Sequence, residues 1–181
     1  MNPHHGIYQP GPIKKESGMG KFRAFISLGS NIGDKLQNIQ KAVEILTETG
    51  NSTLLRHSEC YKTEPVDYAD QDWFVNAVIE IETDYPPLRL LKKIKTIEKE
   101  MGRNEGGIRF GPRIIDLDIL FFDDLIIKED GLTIPHPRLH QRRFVLKPIC
   151  DIAPHLVHPV LSKSMETLLN NLNTGQEVIP V

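Results

Sequence analysis

The sequence contains few cysteines and no long hydrophobic segment, and each shortage excludes classes of protein. Cys60 and Cys150 are the two cysteines of the 181-residue chain, and they form no CxxC pair. Two distant cysteines cannot staple a disulfide-rich mini-protein or build a cysteine-rich zinc site. No apolar run approaches the ~20 residues that span a bilayer, and the N-terminus lacks the basic and then apolar segments of a secretory signal. We therefore predict a cytoplasmic protein that is not embedded in a membrane.

A surplus of positive charge is also missing. The 22 Lys and Arg residues are outnumbered by 24 Asp and Glu residues, which gives a formal net charge of −2. Binding to nucleic acid or to an anionic membrane requires excess positive charge. We therefore expect no nucleic acid and no membrane among the partners of this chain.

The chain divides by composition into a short leader and one domain. Seven of residues 1–20 are glycine or proline and few are apolar, which predicts a disordered leader. Met19 stands near the end of this segment and is a candidate for the true start. Residues 21–181 have the composition and length of a single folded domain, which usually takes ~100–200 residues.

Hydrophobic periodicity predicts a β-α-β-β-α-β core. Alternating apolar residues mark strands, while apolar residues at helical spacing between capping and glycine signals mark helices. This order is typical of an α+β, ferredoxin-like fold, in which an antiparallel sheet is flanked by helices on one face. A short β-segment at 125–127 and helices near 141–147 and 165–172 follow the core. The core elements are predicted as strand 22–28, helix 34–50, strand 54–62, strand 73–81, helix 86–102 and strand 114–122.

The sharpest chemical feature is Asp116-Leu117-Asp118, in the last of these strands. Residues two apart on a strand point to the same face, with roughly 7 Å between their Cα atoms. Two neighbouring carboxylates repel each other unless a cation lies between them, and Mg²⁺ typically binds one or two carboxylates together with substrate phosphates. The pair therefore indicates a magnesium site, although the polar outer face of an ordinary strand would show the same pattern.

Three arginines precede this pair in a glycine-rich segment. Arg103, Arg109 and Arg113 are interleaved with the glycines at 102, 106, 107 and 111. This pattern suits a mobile loop that closes over a polyanion, because the guanidinium group matches phosphate oxygens. Arginines beside magnesium-binding carboxylates are the components of phosphoryl transfer, and a solvated basic loop is the alternative. The chain has no Walker A sequence, so an ATP site must be of another kind.

A second candidate surface lies on the third predicted strand. Phe74 and Asn76 face away from its apolar stripe, so an aromatic ring lies beside an amide. Such a pair can stack on a flat heterocycle and hydrogen-bond its edge. Residues 63–66 and Phe144 could complete a slot. The alternative is that a loop such as 64–72 covers Phe74.

Three further ionisable residues carry weaker signals. Glu98 flanks the apolar stripe of the second helix near Arg103, so an ion pair with Arg103 accounts for a glutamate at this position. His136 and His140 are four residues apart, as in some zinc sites, but Pro137 between them disfavours a helix and no third ligand is evident. A histidine that donates to a phosphate is the better functional interpretation.

Taken together, these motifs resemble the 6-hydroxymethyl-7,8-dihydropterin pyrophosphokinase family of the folate pathway. The resemblance covers residues from about 21 to 160 in the family's order and spacing. It is most specific where a G-P-R-x-x-D-L-D-I segment is followed by T-I-P-H. The motifs are Gly29-Ser-Asn31, Tyr61-Lys-Thr63, Phe74-Val-Asn76, Gly102-Arg103, Phe110-Gly-Pro-Arg113-Ile-Ile-Asp116-Leu-Asp118, Leu132-Thr-Ile-Pro-His136-Pro-Arg138 and Arg142-Arg-Phe144.

The resemblance implies an ATP-dependent transferase that moves the terminal diphosphate of ATP to the hydroxymethyl oxygen of the pterin and releases AMP. It implies that Asp116 and Asp118 hold two Mg²⁺ ions and that Arg103 and Arg113 stabilise the phosphates. Association with neighbouring folate-pathway enzymes stays open. The family's pterin pocket corresponds to Thr63, Pro65, Val66, Phe74, Asn76, Phe110 and Phe144, and its nucleotide site to Glu98, Arg109, Arg113, Ile119, Thr133, His136 and Arg142.

Several positions depart from the family's usual pattern. Phe110 stands where Trp is common, and Phe74 stands where some members have Tyr. Glu105 and Gly106 replace basic residues of some members, so we expect weaker ATP binding with the same chemistry. The residues also leave open a magnesium-dependent phosphoesterase or nuclease and a non-catalytic ferredoxin-like ligand-binding module. An RNA-recognition domain is a further alternative, although the middle strands lack the aromatic stacking motifs of that class.

Overall fold

A computed structural model of the chain describes residues 21–66, 70–103 and 111–181. The leader predicted at 1–20 lies outside the described residues, and so do Glu105, Gly106, Arg109 and Phe110 of the arginine-rich segment. Expectations about these residues therefore stay predictions.

Within the described ranges the chain alternates strands and helices much as the periodicity predicts. A short 3-10 turn, Leu139–Gln141, precedes the third helix. The elements are β1 (Phe22–Ser30), α1 (Lys35–Thr47), β2 (Ser52–His57), β3 (Tyr61–Thr63), β4 (Phe74–Thr83), α2 (Pro87–Glu100), β5 (Asp116–Phe122), β6 (Ile127–Glu129), β7 (Leu132–Ile134), α3 (Arg143–Ile152), α4 (Met165–Asn171) and β8 (Val178–Pro180).

Local signals in the sequence set the ends of α1 and α2. Asp34 caps α1, and its carboxylate accepts the backbone N–H of Gln37. Gly50 follows α1 with a φ of +72°, a left-handed conformation that glycine adopts without strain. Pro87 opens α2, where a missing N–H breaks no helical hydrogen bond. The predicted limits of both helices are confirmed to within a few residues.

The main sheet has the strand order β5-β1-β4-β3-β8, and β2 pairs with the rest of β4. Every pair in this sheet is antiparallel. The strands predicted as first to fourth along the chain therefore lie side by side in the order fourth, first, third, second. The α+β class and the ferredoxin-like order are confirmed.

Helices cover both faces of this sheet. One core cluster packs Ile26 and Ile79 of the sheet against α1 and α2. A second cluster packs Val78 and Leu120 of the other face against α3 and α4. The expectation of helices on one face is therefore wrong for the whole chain. It holds for the β-α-β-β-α-β core, whereas α3 and α4 come after that core in sequence and bury the remaining apolar face.

The strand predicted at 54–62 is divided into β2 and β3. The hydroxyl group of Ser58 accepts the backbone N–H of Val78 at 2.9 Å and donates to the carbonyl of Glu59 at 2.7 Å. These side-chain bonds stand in for part of the regular ladder, so the strand breaks here. Periodicity could not reveal the break, because Val78 lies 20 residues away in sequence.

A β-bulge reverses the two faces of β5 near its end. Phe25 pairs with Phe121 and Ile26 pairs with Ile119, which leaves Leu120 as the extra residue. Strict alternation along β5 predicts that Phe121 shares the face of Ile119. The bulge makes this prediction wrong, and Phe121 lies in the second core cluster.

The C-terminal part of the chain differs most from its prediction. The β-segment expected at 125–127 is replaced by a hairpin of β6 and β7. The helix expected near 141–147 runs on to Ile152 as α3, and α4 matches its prediction closely. The strand β8 was not predicted at all. In the described part of the chain, no helix combines the length and hydropathy of a membrane span.

Candidate active site

Three adjacent strands bring the two candidate surfaces to one end of the sheet. Gly29 of β1 pairs with Asn76 of β4 on one side and with Asp116 of β5 on the other. Two residues further along β5, Asp118 pairs with Ser27 of β1. Leu117, between the two aspartates, points the opposite way into the first core cluster. The Asp116 carboxylate and the Asn76 amide therefore lie in one row across the sheet, and Asp118 lies in the next row on the same face.

A cavity of about 250 Å³ opens over this row. Its walls come from β1, β3, β4 and β5, from α2, and from the start of α3 with the segment before it. The cavity brings together residues that are far apart in sequence and that the resemblance assigns to one site. These are Thr63, Pro65, Val66, Phe74, Asn76, Arg103, Arg113, Asp116, Asp118, His136, Arg142 and Phe144.

Three predicted nucleotide-site residues do not line the cavity. Ile119 is 4% exposed and packs in the first core cluster. Thr133 lies on β7, where it pairs with Lys128 of the hairpin. Glu98 is buried behind the cavity wall. Arg109 and Phe110 lie outside the described residues.

Asp116 is held by two arginines. Arg103 Nη1 lies 2.6 Å from Asp116 Oδ1, and Arg113 Nη1 lies 2.8 Å from Asp116 Oδ2. Burial by itself would raise the pKa of the Asp116 carboxyl, but the guanidinium groups of Arg113 and Arg103 outweigh burial and hold the pKa below its usual value. Asp116 is therefore a carboxylate near neutral pH.

Asp118 is held more loosely than Asp116. His136 Nε2 and Arg142 Nη1 each lie 3.9 Å from Asp118 Oδ2, beyond hydrogen-bond distance. About a third of the Asp118 side chain is exposed, at 33%. Its carboxylate is therefore available to a ligand at the mouth of the cavity.

Side chains of α2 hydrogen-bond to the backbone between the two aspartates. Among the described strands β5 is at the edge of the sheet, so no described strand pairs with the outward N–H and C=O of Leu117. Glu98 Oε1 accepts the Leu117 N–H at 2.7 Å, and Lys95 Nζ donates to the Leu117 carbonyl at 3.2 Å. Lys95 and Glu98 are also bonded to each other at 3.0 Å. One helix face thus completes the hydrogen bonding of the segment that carries both carboxylates.

Glu98 also connects these backbone hydrogen bonds to the arginines. Its Oε1 lies 2.6 Å from Arg103 Nη1, the same nitrogen that contacts Asp116. Burial raises the pKa of Glu98, and the positive charge of Lys95 and the other groups around it oppose this rise only in part. The predicted ion pair of Glu98 with Arg103 is confirmed, while a direct role of Glu98 toward a nucleotide stays a prediction.

The neutral side of the cavity is organised around Asn76. Its Nδ2 donates to Thr63 Oγ1 at 2.7 Å, and both residues are buried. Its Oδ1 lies against Gly29, where an added Cβ would come within 2.7 Å of it. Only glycine at position 29 leaves room for the amide in this orientation.

Two aromatic rings line the cavity, and each already has a planar group near its face. The guanidinium carbon of Arg113 lies 5.8 Å from the centre of the Phe74 ring, and that of Arg142 lies 5.4 Å from the centre of the Phe144 ring. Such cation–π contacts require an accessible ring face. Both rings line the cavity and can stack on a flat ligand. The alternative in which loop 64–72 covers Phe74 involves residues 67–69, which lie outside the described residues, so it stays open.

His136 and His140, which are four residues apart as in some zinc sites, point to different parts of the structure. His136 lines the cavity, and its Nδ1 accepts the backbone N–H of Arg138 at 3.2 Å, so its Nε2 faces Asp118. Burial lowers the pKa of His136, although the Asp118 carboxylate opposes this effect. His140 instead packs edge-on against His158, with 6.2 Å between the ring centres.

A divalent cation fits the carboxylate pair only with help from a ligand. Among the described residues, no group of three or more His, Cys, Asp or Glu side chains could hold a metal. Asp116 and Asp118 are therefore the available protein ligands, and oxygen ligands of this kind suit Mg²⁺. The other coordination positions would fall to water and to phosphate oxygens, which the surrounding arginines also attract.

Six lining residues were not among those that the resemblance assigns to the site. Lys95 could have been found from its three-residue spacing to Glu98 on α2, and Gly29 and Ser27 from the register of β1 with the two aspartates. Glu64 falls in the segment 63–66 that was expected to complete the slot, and Arg138 ends one of the motifs of the resemblance, whereas no sequence signal marks Gln71. The six are Ser27, Gly29, Glu64, Gln71, Lys95 and Arg138.

Comparison with known proteins connects this geometry to one family. Residues 25–154 match the family model described as 7,8-dihydro-6-hydroxymethylpterin-pyrophosphokinase, HPPK. A relative from Bacillus subtilis, named 2-amino-4-hydroxy-6-hydroxymethyldihydropteridine pyrophosphokinase, is 43% identical over 129 residues, which are 71% of this chain and 77% of the relative.

Other relatives are much longer than this chain. The folic acid synthesis protein fol1 of Schizosaccharomyces pombe is 43% identical over 159 residues, and the match covers 88% of this chain but only 21% of that protein. A crystal structure of Plasmodium falciparum HPPK-DHPS has a TM-score of 0.69 at 20% identity, and the match covers 86% of this chain and 44% of that one. At this identity the structural likeness establishes the fold alone.

Proposed function

Because the chain belongs to the 7,8-dihydro-6-hydroxymethylpterin-pyrophosphokinase family, we propose that it transfers the diphosphate of ATP to the hydroxymethyl group of 6-hydroxymethyl-7,8-dihydropterin. In this reaction the hydroxymethyl oxygen loses its proton and bonds to the β-phosphorus of ATP. The bond from the β-phosphorus to the oxygen that bridges to the α-phosphate breaks, and AMP leaves. The observation that carries this proposal is the single row of Asn76, Gly29 and Asp116, which sets a neutral recognition group beside a carboxylate–arginine cluster.

The charged side of the cavity is proposed as the triphosphate site. Arg103 and Arg113 stand on either side of Asp116, so phosphate oxygens entering here meet two guanidinium groups at once. Asp116 and Asp118 are proposed to hold two Mg²⁺ ions, which would neutralise the charge that develops on the phosphates. Positive charge that is already in place needs little rearrangement during the reaction, and this is the main source of catalysis in phosphoryl transfer.

Residues around His136 are proposed to complete the nucleotide site. The imidazole Nε2 faces the mouth of the cavity near Asp118, and Arg142 lies beside it. A neutral histidine with its Nδ1 occupied carries its proton on Nε2, which makes it a donor to a phosphate oxygen. Arg142 remains charged in any local field and adds a second donor.

The neutral side is proposed as the pterin site. Phe74 and Phe144 offer ring faces for stacking, and the Asn76 amide is held at the floor of the cavity by Thr63 and Gly29. Pro65 and Val66 add apolar wall beside them. A flat, uncharged bicyclic ring with polar edges has the chemistry that this surface selects.

Mass spectrometry of the reaction products tests the proposal. Purified protein is mixed with Mg²⁺, ATP and 6-hydroxymethyl-7,8-dihydropterin, and the products are identified over time. We expect AMP to appear in step with a pterin that is heavier by a diphosphate. ADP with a monophosphorylated pterin would contradict the assigned transfer, and inorganic phosphate without a modified pterin would indicate a phosphoesterase.

Association with other folate enzymes is a separate proposal. A relative from Arabidopsis thaliana is named folate synthesis bifunctional protein, so a partner with a second folate activity is the natural expectation for this chain. Co-purification of this chain with such an enzyme from its own host would support it. The cytoplasmic location also stays a prediction, since a relative from Pisum sativum is named mitochondrial.

A further inference from the structure

The C-terminal strand β8 lies outside the region that defines the family. The family model ends at residue 154, whereas β8 spans Val178–Pro180. This strand pairs antiparallel with β3, so Lys62 lies opposite Ile179 and Thr63 lies opposite Val178. It therefore converts β3 from an edge strand into an interior one.

The strand β3 has little support of its own. It contains 3 residues and pairs with β4 only from Tyr61 to Thr63. So short a strand at the edge of a sheet is weakly held, because few hydrogen bonds offset the entropy of ordering it. A second partner on its other side doubles the number of strands that bond to it.

Residues just before β8 also bind the segment that follows β3. The side-chain amide of Gln176 donates to the carbonyl of Glu64 at 2.8 Å. The backbone N–H of Glu177 donates to the Glu64 carboxylate at 3.1 Å, and the Glu64 N–H donates to the Glu177 carbonyl at 3.4 Å. Glu64 is thus bonded through its N–H, its carbonyl and its carboxylate to one short stretch of the C-terminal segment.

These contacts lead directly to the neutral side of the cavity. Glu64, Pro65 and Val66 all line it, and Thr63 holds the amide of Asn76. On the charged side, the contacts among the described residues are of another origin, since Asp116 and Leu117 are held by Arg103, Arg113 and α2. The position of the C-terminal segment therefore bears on one half of the cavity and not on the other.

We propose that Gln176 and Glu177 are positioning residues for the pterin half of the site: together with β8 they fix the segment Thr63–Val66 against the cavity. This inference rests on the proposed function, which assigns the neutral half of the cavity to the pterin. It adds a function for a C-terminal segment that no recognition motif covers.

Binding measurements on full-length variants test the proposal. Gln176→Ala removes the side-chain donor to Glu64, and Glu177→Pro removes the N–H that binds the Glu64 carboxylate. We expect each variant to raise the dissociation constant of 6-hydroxymethylpterin about fivefold, which corresponds to one lost hydrogen bond. The dissociation constant of a non-hydrolysable ATP analogue with Mg²⁺ should change less than about twofold. In turnover, the KM for the pterin should rise while kcat stays near its original value.

Ile179→Thr is the matched control, because Ile179 is an exposed residue of β8, directly after the two test positions, and its side chain makes none of these bonds. It should leave both dissociation constants unchanged. Pterin binding that is unchanged in both test variants would overturn the proposal. Equal weakening of pterin and nucleotide, with a lower melting temperature, would also overturn it in favour of a general effect on stability. If the unaltered chain binds nucleotide but no pterin, the proposed function fails rather than this inference alone.

Discussion

The two halves of the cavity are held in place by different forces. The charged half, around Asp116, is fixed by close ion pairs and by side chains of α2 that bond the backbone of Leu117. The neutral half, around Asn76, is fixed by strand pairing and by one amide–hydroxyl bond to Thr63. A site for polyanions must hold its cations in place before the ligand arrives, whereas a site for an uncharged ring needs shape and a few oriented polar groups.

This difference makes the two halves sensitive to different changes. Removing a charge from the first half leaves buried or half-buried partners unpaired, which is costly. Changing the second half shifts groups by fractions of an ångström and removes single hydrogen bonds, which costs less. Variants of the charged half should therefore lose more activity or stability than variants of the neutral half.

Asp116→Asn should abolish most of the activity. The change removes a proposed metal ligand and the common partner of Arg103 and Arg113, so we expect the rate of AMP formation to fall about 1,000-fold. Asp130→Asn, an exposed aspartate in the turn between β6 and β7, is the control and should behave like the original protein. A rate within tenfold of the original for Asp116→Asn would show that this carboxylate is not central to the reaction.

Glu98→Ala should lower stability and disorder the charged half. The Leu117 N–H would lose its buried acceptor, and we expect the free energy of unfolding in urea to fall by about 1–3 kcal/mol. Glu98→Gln keeps an oxygen for the Leu117 N–H and should recover part of this loss. Equal stability of the alanine variant and the original protein would mean that α2 does not support β5 through Glu98.

Gly29→Ala should act on the neutral half. The new Cβ would meet Asn76 Oδ1 at 2.7 Å, so the amide must move, and we expect the dissociation constant of the pterin to rise about tenfold. Nucleotide affinity should change much less. Gly175→Ala is the control, because a Cβ there has no neighbour within 4 Å. A larger loss of nucleotide than of pterin affinity would reverse the assignment of the two halves.

Glu105→Arg should produce the smallest change. It restores a cation that some family members carry in the arginine-rich segment, and we expect the dissociation constant for ATP with Mg²⁺ to fall about two- to threefold, as for an exposed charge pair. High salt should remove the gain. An unchanged affinity at low salt would show that position 105 does not face the phosphates.

The sequence predicted the parts of the site that follow from short-range rules. Strand parity placed Asp116 beside Asp118 and Phe74 beside Asn76, and capping signals located α1 and α2. The resemblance then connected these surfaces as one site. Each of these inferences uses residues that are close in sequence, or motifs whose spacing is preserved.

Long-range contacts explain what the sequence could not predict. The break at Ser58 depends on Val78, and the bulge at Leu120 depends on the register between β1 and β5. The strand β8 is a short segment whose partner, β3, lies more than a hundred residues earlier. The hydrogen bond from Lys95 to the Leu117 carbonyl arises from the way α2 packs against an edge strand, which periodicity does not encode.

A crystal structure with a non-hydrolysable ATP analogue, Mg²⁺ and 6-hydroxymethylpterin would show which half of the cavity holds each ligand. We expect the pterin ring to stack on Phe74 and Phe144 with its edge at Asn76. We also expect phosphates between Arg103 and Arg113, and metal density at Asp116 and Asp118. A pterin bound away from Asn76, or phosphates bound away from the two aspartates, would contradict the division of this cavity into a neutral half and a charged half.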